Sequence, residues 1–436
     1  MVPGYNRAQG LLKDLEIHPE GFHTSDYVEL FLDEMDRGLR GERSSLKMIP
    51  TFVSTDTQIP YDAPAIVIDA GGTNLRTALV RFRHNQEPEI SHFSKRGMPG
   101  VSHEVSYDEF FSCFADAVEP IFELSDHIGF CFSYAAAIDE NRDGRLIVFS
   151  KEIKAPDVIG AYIGKGLLDA MAGRGYDVAP KRLTLLNDTV ATLLAGKAKG
   201  EQMPYSGYVG FILGTGTNTS YVELSDQIHG LSSGWTEKHQ IINTESGSFN
   251  VPASDFDMDF YRTTKHEEDY HFEKLISGAY LGEYGKFLLA EAARQKLFSP
   301  SCVQALADIR EAITTVVMDG FLHNPWDKNN SITAACSDAD DAQCAYHLLD
   351  GIIQRAAKLT AVNLSATILK TDGGVDPRRP VCVNADGTTY YKTHRLQEYT
   401  QRYLHEFLEC KRGRYYRFVH IENSPVLGAA AAGLIG

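Results

Sequence analysis

Two turns in this chain combine residue types suited to holding phosphate. The first is Asp69-Ala70-Gly71-Gly72-Thr73-Asn74-Leu75-Arg76, and the second is Gly214-Thr215-Gly216-Thr217-Asn218. Gly71, Gly72, Gly214 and Gly216 carry no Cβ and tolerate positive φ, so backbone N–H groups there can approach phosphate oxygens closely. Thr73, Asn74 and Thr215 add neutral donors. Arg76 is a cation suited to a phosphoryl group in transfer, where charge shifts in the transition state. Asp69 ends a strand and is of the type that holds Mg2+, directly or through water. Either turn alone reads more simply as a hairpin. Two of them about 140 residues apart, each flanked by strands, point to a two-lobed ATP clamp. Neither fits the GxxxxGK[ST] loop or the dinucleotide GxGxxG.

The elements that must position these turns are legible from period and punctuation. Residues 65–82, AIVIDAGGTNLRTALVRF, read as a strand, a break at Gly71-Gly72, and a second strand. Residues 207–224, GYVGFILGTGTNTSYVEL, repeat that grammar. Strands are predicted at 127–133 and 145–149, helices at 106–124 and 159–174, and a buried strand at 181–187 that runs into the helix DTVATLLAGKA. An amphipathic helix pair occupies 6–40, with Leu11, Leu12 and Leu15 on one stripe and Val28, Leu30, Phe31 and Met35 on another. Residues 44–64 read as irregular. Long helical runs are predicted at about 270–297, 301–319 and 338–369, then a strand at 380–384, a helix near 393–409, a strand at 416–421 and a terminal helix. Alternating strands and helices argue for an α/β class with mixed sheets. No repeat of solenoid period is present; the repetition is of two large halves.

The chain has 436 residues, room for two or three compact units. With 42 Lys plus Arg against 58 Asp plus Glu, a net charge of −16 makes it a poor binder of nucleic acid or anionic membrane. Seven cysteines are scattered without a CxxC pair, so free thiols in a reducing cytosol are a simpler reading than a disulfide framework or zinc ribbon. The first residues lack a secretory signal pattern, and no apolar stretch reaches membrane-spanning length. A cytoplasmic location is the expectation.

Six stretches in order, one of them containing the second turn, resemble the hexokinase family, within the actin/Hsp70/sugar-kinase superfamily. IGFCFSYAAAIDENRDGRLIVFSKEIKA (128–155) resembles the family's sugar-binding signature, LGFTFSFP…WTKGFKA. LLNDTVATLLAG (185–196) matches NDTVGTL, and GFILGTGTN (210–218) matches the second phosphate motif. INTESGSFN (242–250) resembles INTEWGAFG, HFEKLISGAYLGE (271–283) resembles FEKMISGMYLGE, and NADGTTYYK (384–392) resembles ADGSVYK.

The resemblance implies a two-lobed actin-like ATPase (ribonuclease H-like) fold with mixed sheets and a central cleft. It puts the small lobe at 63–188 with 425–436 and the large lobe at 1–62 with 189–424. It also implies ATP-dependent phosphorylation of a hexose at its 6-hydroxyl, with Mg2+. Asp188 matches the catalytic base; taken alone, it reads as a helix N-cap. Lys151 matches the lysine beside the transferred phosphoryl, and its plainer reading is a surface lysine. Ser133, Ser150, Lys151, Asn187, Asp188, Asn218, Glu245 and Glu273 match the hydroxyl-binding set. Hexose hydroxyls are both donors and acceptors, so acid and amide side chains suit them. Thr388 matches the adenosine or phosphate contact; alone, it is a turn residue after Asp386-Gly387.

Four departures stand out. Ala135 replaces proline, which should make the sugar loop more flexible. Phe149-Ser150 replace Trp-Thr. Ser246 replaces tryptophan beside Glu245, which should loosen packing. Ser424-Pro425-Val426-Leu427-Gly428-Ala429-Ala430 replace SGSGKGAA, which should alter ATP affinity. The competing readings are a non-catalytic hexose sensor, a kinase of another sugar and, more remotely, an actin-like filament protein.

Overall fold

The computed structural model describes residues 3–149, 153–200, 203–231, 235–309 and 313–436. Strand Pro64–Gly71 shows how one sequence pattern sets the layers. Its residues are almost all buried, and alternate side chains enter different cores. Ile66 and Ile68 join Phe110, Phe114 and Leu167 on one side, while Ala65 and Val67 join Val190, Leu194 and Ala430 on the other. A strand covered on both faces needs helices above and below it, and the chain supplies them.

This strand is central in a five-stranded sheet of order Glu89–Gly97, Asn74–Arg81, Pro64–Gly71, His127–Phe132 and Arg182–Leu186. The last three strands are parallel, with Asp69 beside Cys131 and Cys131 beside Leu186. A six-stranded sheet carries the second half, in the order Ile49–Pro50, His239–Asn243, Thr217–Leu224, Gly207–Leu213, Val381–Asp386 and Tyr416–Val419. Its last three strands are again parallel. Val209, Phe211 and Leu213 face a core shared with Leu359 and Val362 of the long helix Ala339–Lys370.

Helices Asp188–Gly200 and Ser424–Ile435 lie between the two sheets. Ser220 Oγ donates to the Thr189 carbonyl at 2.9 Å, and Asn384 Nδ2 to the Thr192 carbonyl at 2.7 Å, tying the first helix to the six-stranded sheet. The second helix has a run of small residues, Gly428–Gly433, because it packs there at backbone distance. A Cβ on Gly129 would stand 1.8 Å from the Ala429 carbonyl oxygen.

Four readings of the sequence differ from the structure. The helical run at 270–297 is two helices, His271–Ile276 and Leu281–Arg294, and the run at 301–319 is Pro300–Ala307 and Thr315–His323. Strand Glu89–Gly97 was missed because EISHFSKRG is a largely exposed edge strand with no apolar alternation. Nor does Ala135 read as part of a loose loop. It opens strand Ala135–Ile138, paired with Gly144–Val148, and unlike proline it has an N–H to offer a ladder.

Candidate active site

In each sheet, the parallel strands end on the side where the sequence places its polar residues. Three neighbouring strands of the five-stranded sheet deliver Asp69, then Ser133, then Asn187 and Asp188, from their C-terminal edge. The crevice outside such an edge is where open α/β sheets bind ligands.

Asp69 is buried, and the Arg76 guanidinium, its cross-strand neighbour, donates to it at 2.6 Å. The first turn is held from behind. Tyr134 Oη donates to the Gly72 carbonyl at 2.7 Å, and the Met98 N–H donates to the Thr73 carbonyl at 2.9 Å. Gly72 has φ of +59°, a conformation that a Cβ would oppose. Asn74 Nδ2 donates to Thr73 Oγ1 at 3.2 Å. Ser133 Oγ lies 3.5 Å from where a Cβ on Gly71 would stand. Cys131, between these groups, is fully buried. Burial and the nearby charges of Asp69 and Asp188 push its thiol well above the usual range.

Asp188 opens its helix, but it is not the cap. Asn187 Oδ1 accepts the Thr189 N–H at 2.9 Å, the geometry of an N-cap. The simple structural explanation for Asp188 therefore falls to its neighbour. Asp188 is half-buried, with Thr189 Oγ1 donating to its carboxylate at 3.3 Å.

Across from this edge stands a second set of acids. Glu245 occupies a left-handed backbone conformation with φ of 54°, which costs roughly 1–2 kcal/mol for a residue with a Cβ. Its Oε1 accepts from Asn243 Nδ2 at 2.8 Å and Asn218 Nδ2 at 3.0 Å. Asn218 also donates to Asn243 Oδ1, while its own oxygen accepts the Thr219 and Ser246 N–H groups. All four hydrogen bonds of that amide are thus made within the protein, and Asn218 positions Glu245 in this conformation. Burial raises the Glu245 pKa, and Asp188 raises it further. The Glu273 pKa is pushed up to about 6 by burial and by Glu245, despite a 2.8 Å bond from the Thr217 N–H. Glu245 is therefore the centre of a group of acceptors: Asp188 disfavours its charge, and it disfavours that of Glu273 in turn. Ser246 does not loosen this corner. It is buried, with its hydroxyl 3.1 Å from Thr219 Oγ1 and 3.4 Å from Asn363 Nδ2.

The second turn is braced by the break in the 270–297 run. Gly278 N–H donates to the Gly214 carbonyl at 2.8 Å, and Ala279 N–H to the Thr215 carbonyl at 3.1 Å. Gly214 N–H donates to the Gly216 carbonyl at 2.9 Å and closes the turn. Thr389 Oγ1 also donates to the Gly214 carbonyl, at 2.7 Å. Thr388, beside it, is exposed and begins the short helix Thr388–Lys392. Sequence reasoning missed Gly278, Ala279, Thr389, Tyr134 and Asn243. A glycine inside an otherwise helical run was the available signal for the first two.

Ser150 and Lys151 lie outside the described residues. The chain on either side of them is anchored. Phe149 packs against Tyr134 with ring centroids 5.1 Å apart, and the Lys154 N–H donates to the Gly100 carbonyl at 2.8 Å. A cavity of about 540 Å³ lies elsewhere, between Tyr61, Phe82–Pro88 and the Ala198-Lys199 end of the helix that Asp188 begins. The site is instead a set of converging edges, as expected where two lobes meet. Among the described residues, no three His, Cys, Asp or Glu side chains form a metal cage, and no helix is long and apolar enough to cross a membrane.

Two family models, each described as hexokinase, match residues 8–198 and 208–435. Hexokinase-1 of Bos taurus is 27% identical over 439 residues, covering 93% of this chain and 45% of that protein. Hexokinase-5 of Oryza sativa subsp. japonica is 29% identical over 404 residues, covering 84% of this chain and 77% of that protein. The chain spans about half the length of the mammalian relatives it matches. The solved structure of a hexokinase from Schistosoma mansoni complexed with glucose superposes with a TM-score of 0.75 at 22% identity, covering 99% of both chains. That likeness carries the two-lobed α/β fold predicted above.

Proposed function

Because this chain belongs to the hexokinase family, we propose that it transfers the γ-phosphoryl group of ATP to the 6-hydroxyl of a hexose such as glucose, the step by which the sugar enters glycolysis. One observation carries the reading: Asp188, on the edge that bears the Asp69–Arg76 pair, is close enough to Glu245 on the opposite edge to raise its pKa. A group of carboxylates that repel one another calls for a ligand rich in O–H donors, and a hexose is one.

In this reading Ser133, Ser150, Lys151, Asn187, Glu245 and Glu273 bind the sugar, and Asn218 holds Glu245 in place. Asp188 takes the proton of the attacking hydroxyl. A carboxylate is a weak base for an alcohol, so positioning and late proton transfer contribute most of the acceleration. Gly71, Gly72, Thr73 and Asn74 in one turn, and Gly214, Thr215 and Gly216 in the other, cradle the phosphates, with Thr388 on the adenosine side. Arg76 faces the moving phosphoryl, and Lys151 adds positive charge beside it.

Asp69 supplies the hard oxygen donor that magnesium takes, and it would hold an ion arriving with the nucleotide directly or through water, in competition with the Arg76 guanidinium. When bound, that ion neutralises charge on the phosphate oxygens. The lobes are taken as 63–188 with 425–436, and 1–62 with 189–424. In support, the five-stranded sheet lies wholly within Pro64–Leu186. Hexose-driven closure would exclude water and suppress ATP hydrolysis, and a cytoplasmic setting suits the free thiols.

The test is ADP release in a coupled assay across a hexose panel, with wild type and Asp188→Asn. Wild type should release ADP only with hexose, and Asp188→Asn should be slower by about 10²–10⁴-fold, with hexose binding retained. Glucose binding without ADP release by wild type would instead support a sensor, and near-normal turnover in Asp188→Asn would remove the proposed base.

A further inference from the structure

All seven cysteines are free, but two of them meet. Cys302 lies in the first turn of helix Pro300–Ala307 and is fully buried. Cys336 follows helix Ser331–Ala335 and keeps 9% of its surface exposed. The two helices pack against each other, and the residues next to the cysteines, Ser301 and Ser337, meet there, which brings the two thiols close enough to influence one another. Bonds that do not involve sulfur hold the frame around them. Ser337 Oγ donates to Ser301 Oγ at 2.7 Å, and Asp341 accepts the Ser299 N–H at 2.9 Å and its hydroxyl at 2.6 Å. Polar contacts on both sides thus hold the sulfurs together before any bond joins them.

We propose that Cys302 and Cys336 form a dithiol modification site, which an oxidant of the peroxide class converts to an intrachain disulfide. The roles of the two sulfurs differ. Hydrogen bonding from Cys336 lowers the Cys302 pKa, against the opposing charges of Asp341 and Asp338, and the Cys336 thiol is held protonated. A helix N-terminus favours a thiolate as well. The Cys302 thiolate attacks a peroxide oxygen, giving Cys302–SOH and hydroxide. The Cys336 sulfur then attacks the sulfenic sulfur, the S–S bond forms, and the second oxygen leaves as water. Two thiols lose two electrons, and the peroxide gains both. The flanking helices have only 8 and 5 residues, so local opening gives a small oxidant a route in.

The bond would close the stretch between Cys302 and Cys336 into a loop. That stretch carries Thr315, whose hydroxyl donates to the Gly278 carbonyl at 2.7 Å and accepts the Gly282 N–H at 2.9 Å. The cross-link therefore restrains the segment that backs the second phosphate turn.

The experiment uses the full chain carrying Cys113→Ser and Cys410→Ser, which removes both exposed thiols. The protein is treated with hydrogen peroxide, then unfolded in excess alkylating agent and mapped by mass spectrometry without reduction. The expected product is a Cys302–Cys336 linked peptide, reversed by dithiothreitol, with a melting temperature raised by several degrees only in the oxidised form. With Cys336→Ser added, oxidation should stop at a dimedone-reactive sulfenate on Cys302. Two outcomes overturn the proposal. One is a peptide linking Cys336 to Cys344. The other is recovery of Cys302 and Cys336 as alkylated thiols after a dose that fully oxidises free glutathione.

Discussion

Replacing Glu273 with glutamine should make the folded protein more stable, by an amount that depends on pH in a calculable way. The carboxylate is largely withdrawn from water and also crowded by Glu245, which lifts its pKa from the ordinary 4.5 to about 6. A raised acid pKa means that the folded state binds the proton more tightly than the unfolded chain does. The ionised form therefore costs stability, and that cost grows as pH rises from the unfolded pKa through the folded one. At pH 8 the cost is about 2 kcal/mol, and at pH 5 it has fallen to about 0.8 kcal/mol. Glutamine resembles the protonated acid and keeps an oxygen for the Thr217 N–H, so it escapes the cost at every pH. The variant's advantage over wild type should be larger at pH 8 than at pH 5 by about 1.2 kcal/mol. Any constant effect of the substitution cancels in that difference, and relief of Glu245 adds in the same direction. Urea unfolding of both proteins at the two pH values, followed by fluorescence and circular dichroism together, measures it. An advantage equal at both pH values within about 0.3 kcal/mol would show that burial and Glu245 do not raise the Glu273 pKa as described.

Two further substitutions probe the surroundings. In Gly278→Ala, the new Cβ would stand 2.3 Å from Thr389 Oγ1 and 2.9 Å from the Gly214 carbonyl oxygen, so the brace of the second turn must shift. The KM for ATP should rise by about tenfold or more with hexose affinity little changed, as initial rates at varied ATP and hexose would report. In Arg355→Met, the buried Asp257 loses the guanidinium that donates to it at 2.6 and 2.8 Å. Stability should fall by about 3–5 kcal/mol in urea unfolding, since an uncompensated buried charge remains.

Local pattern alone determined a good deal of this molecule. The apolar, β-branched runs of Pro64–Gly71 and Gly207–Leu213, glycines between strands, and a helix with an apolar middle after Asn187 are short-range signals. They located both glycine turns, most strands and the α/β class, because period and turn chemistry act within a few residues. Ordered motifs then singled out Asp188, Glu245 and Glu273, which are far apart in the chain. Only the tertiary structure decided what depends on neighbours distant in sequence. Helical propensity continues through Ser277–Tyr280, but backbone N–H groups there bond to Gly214 and Thr215 instead, because a buried turn must have its carbonyls satisfied. Asn187 takes the cap and Asp188 does not, a matter of one residue of geometry. The pKa of Glu273 depends on burial and on Glu245, brought beside it by a fold in which the 27 residues of intervening chain count for nothing. Coulomb interaction and desolvation act through space, and sequence order records neither.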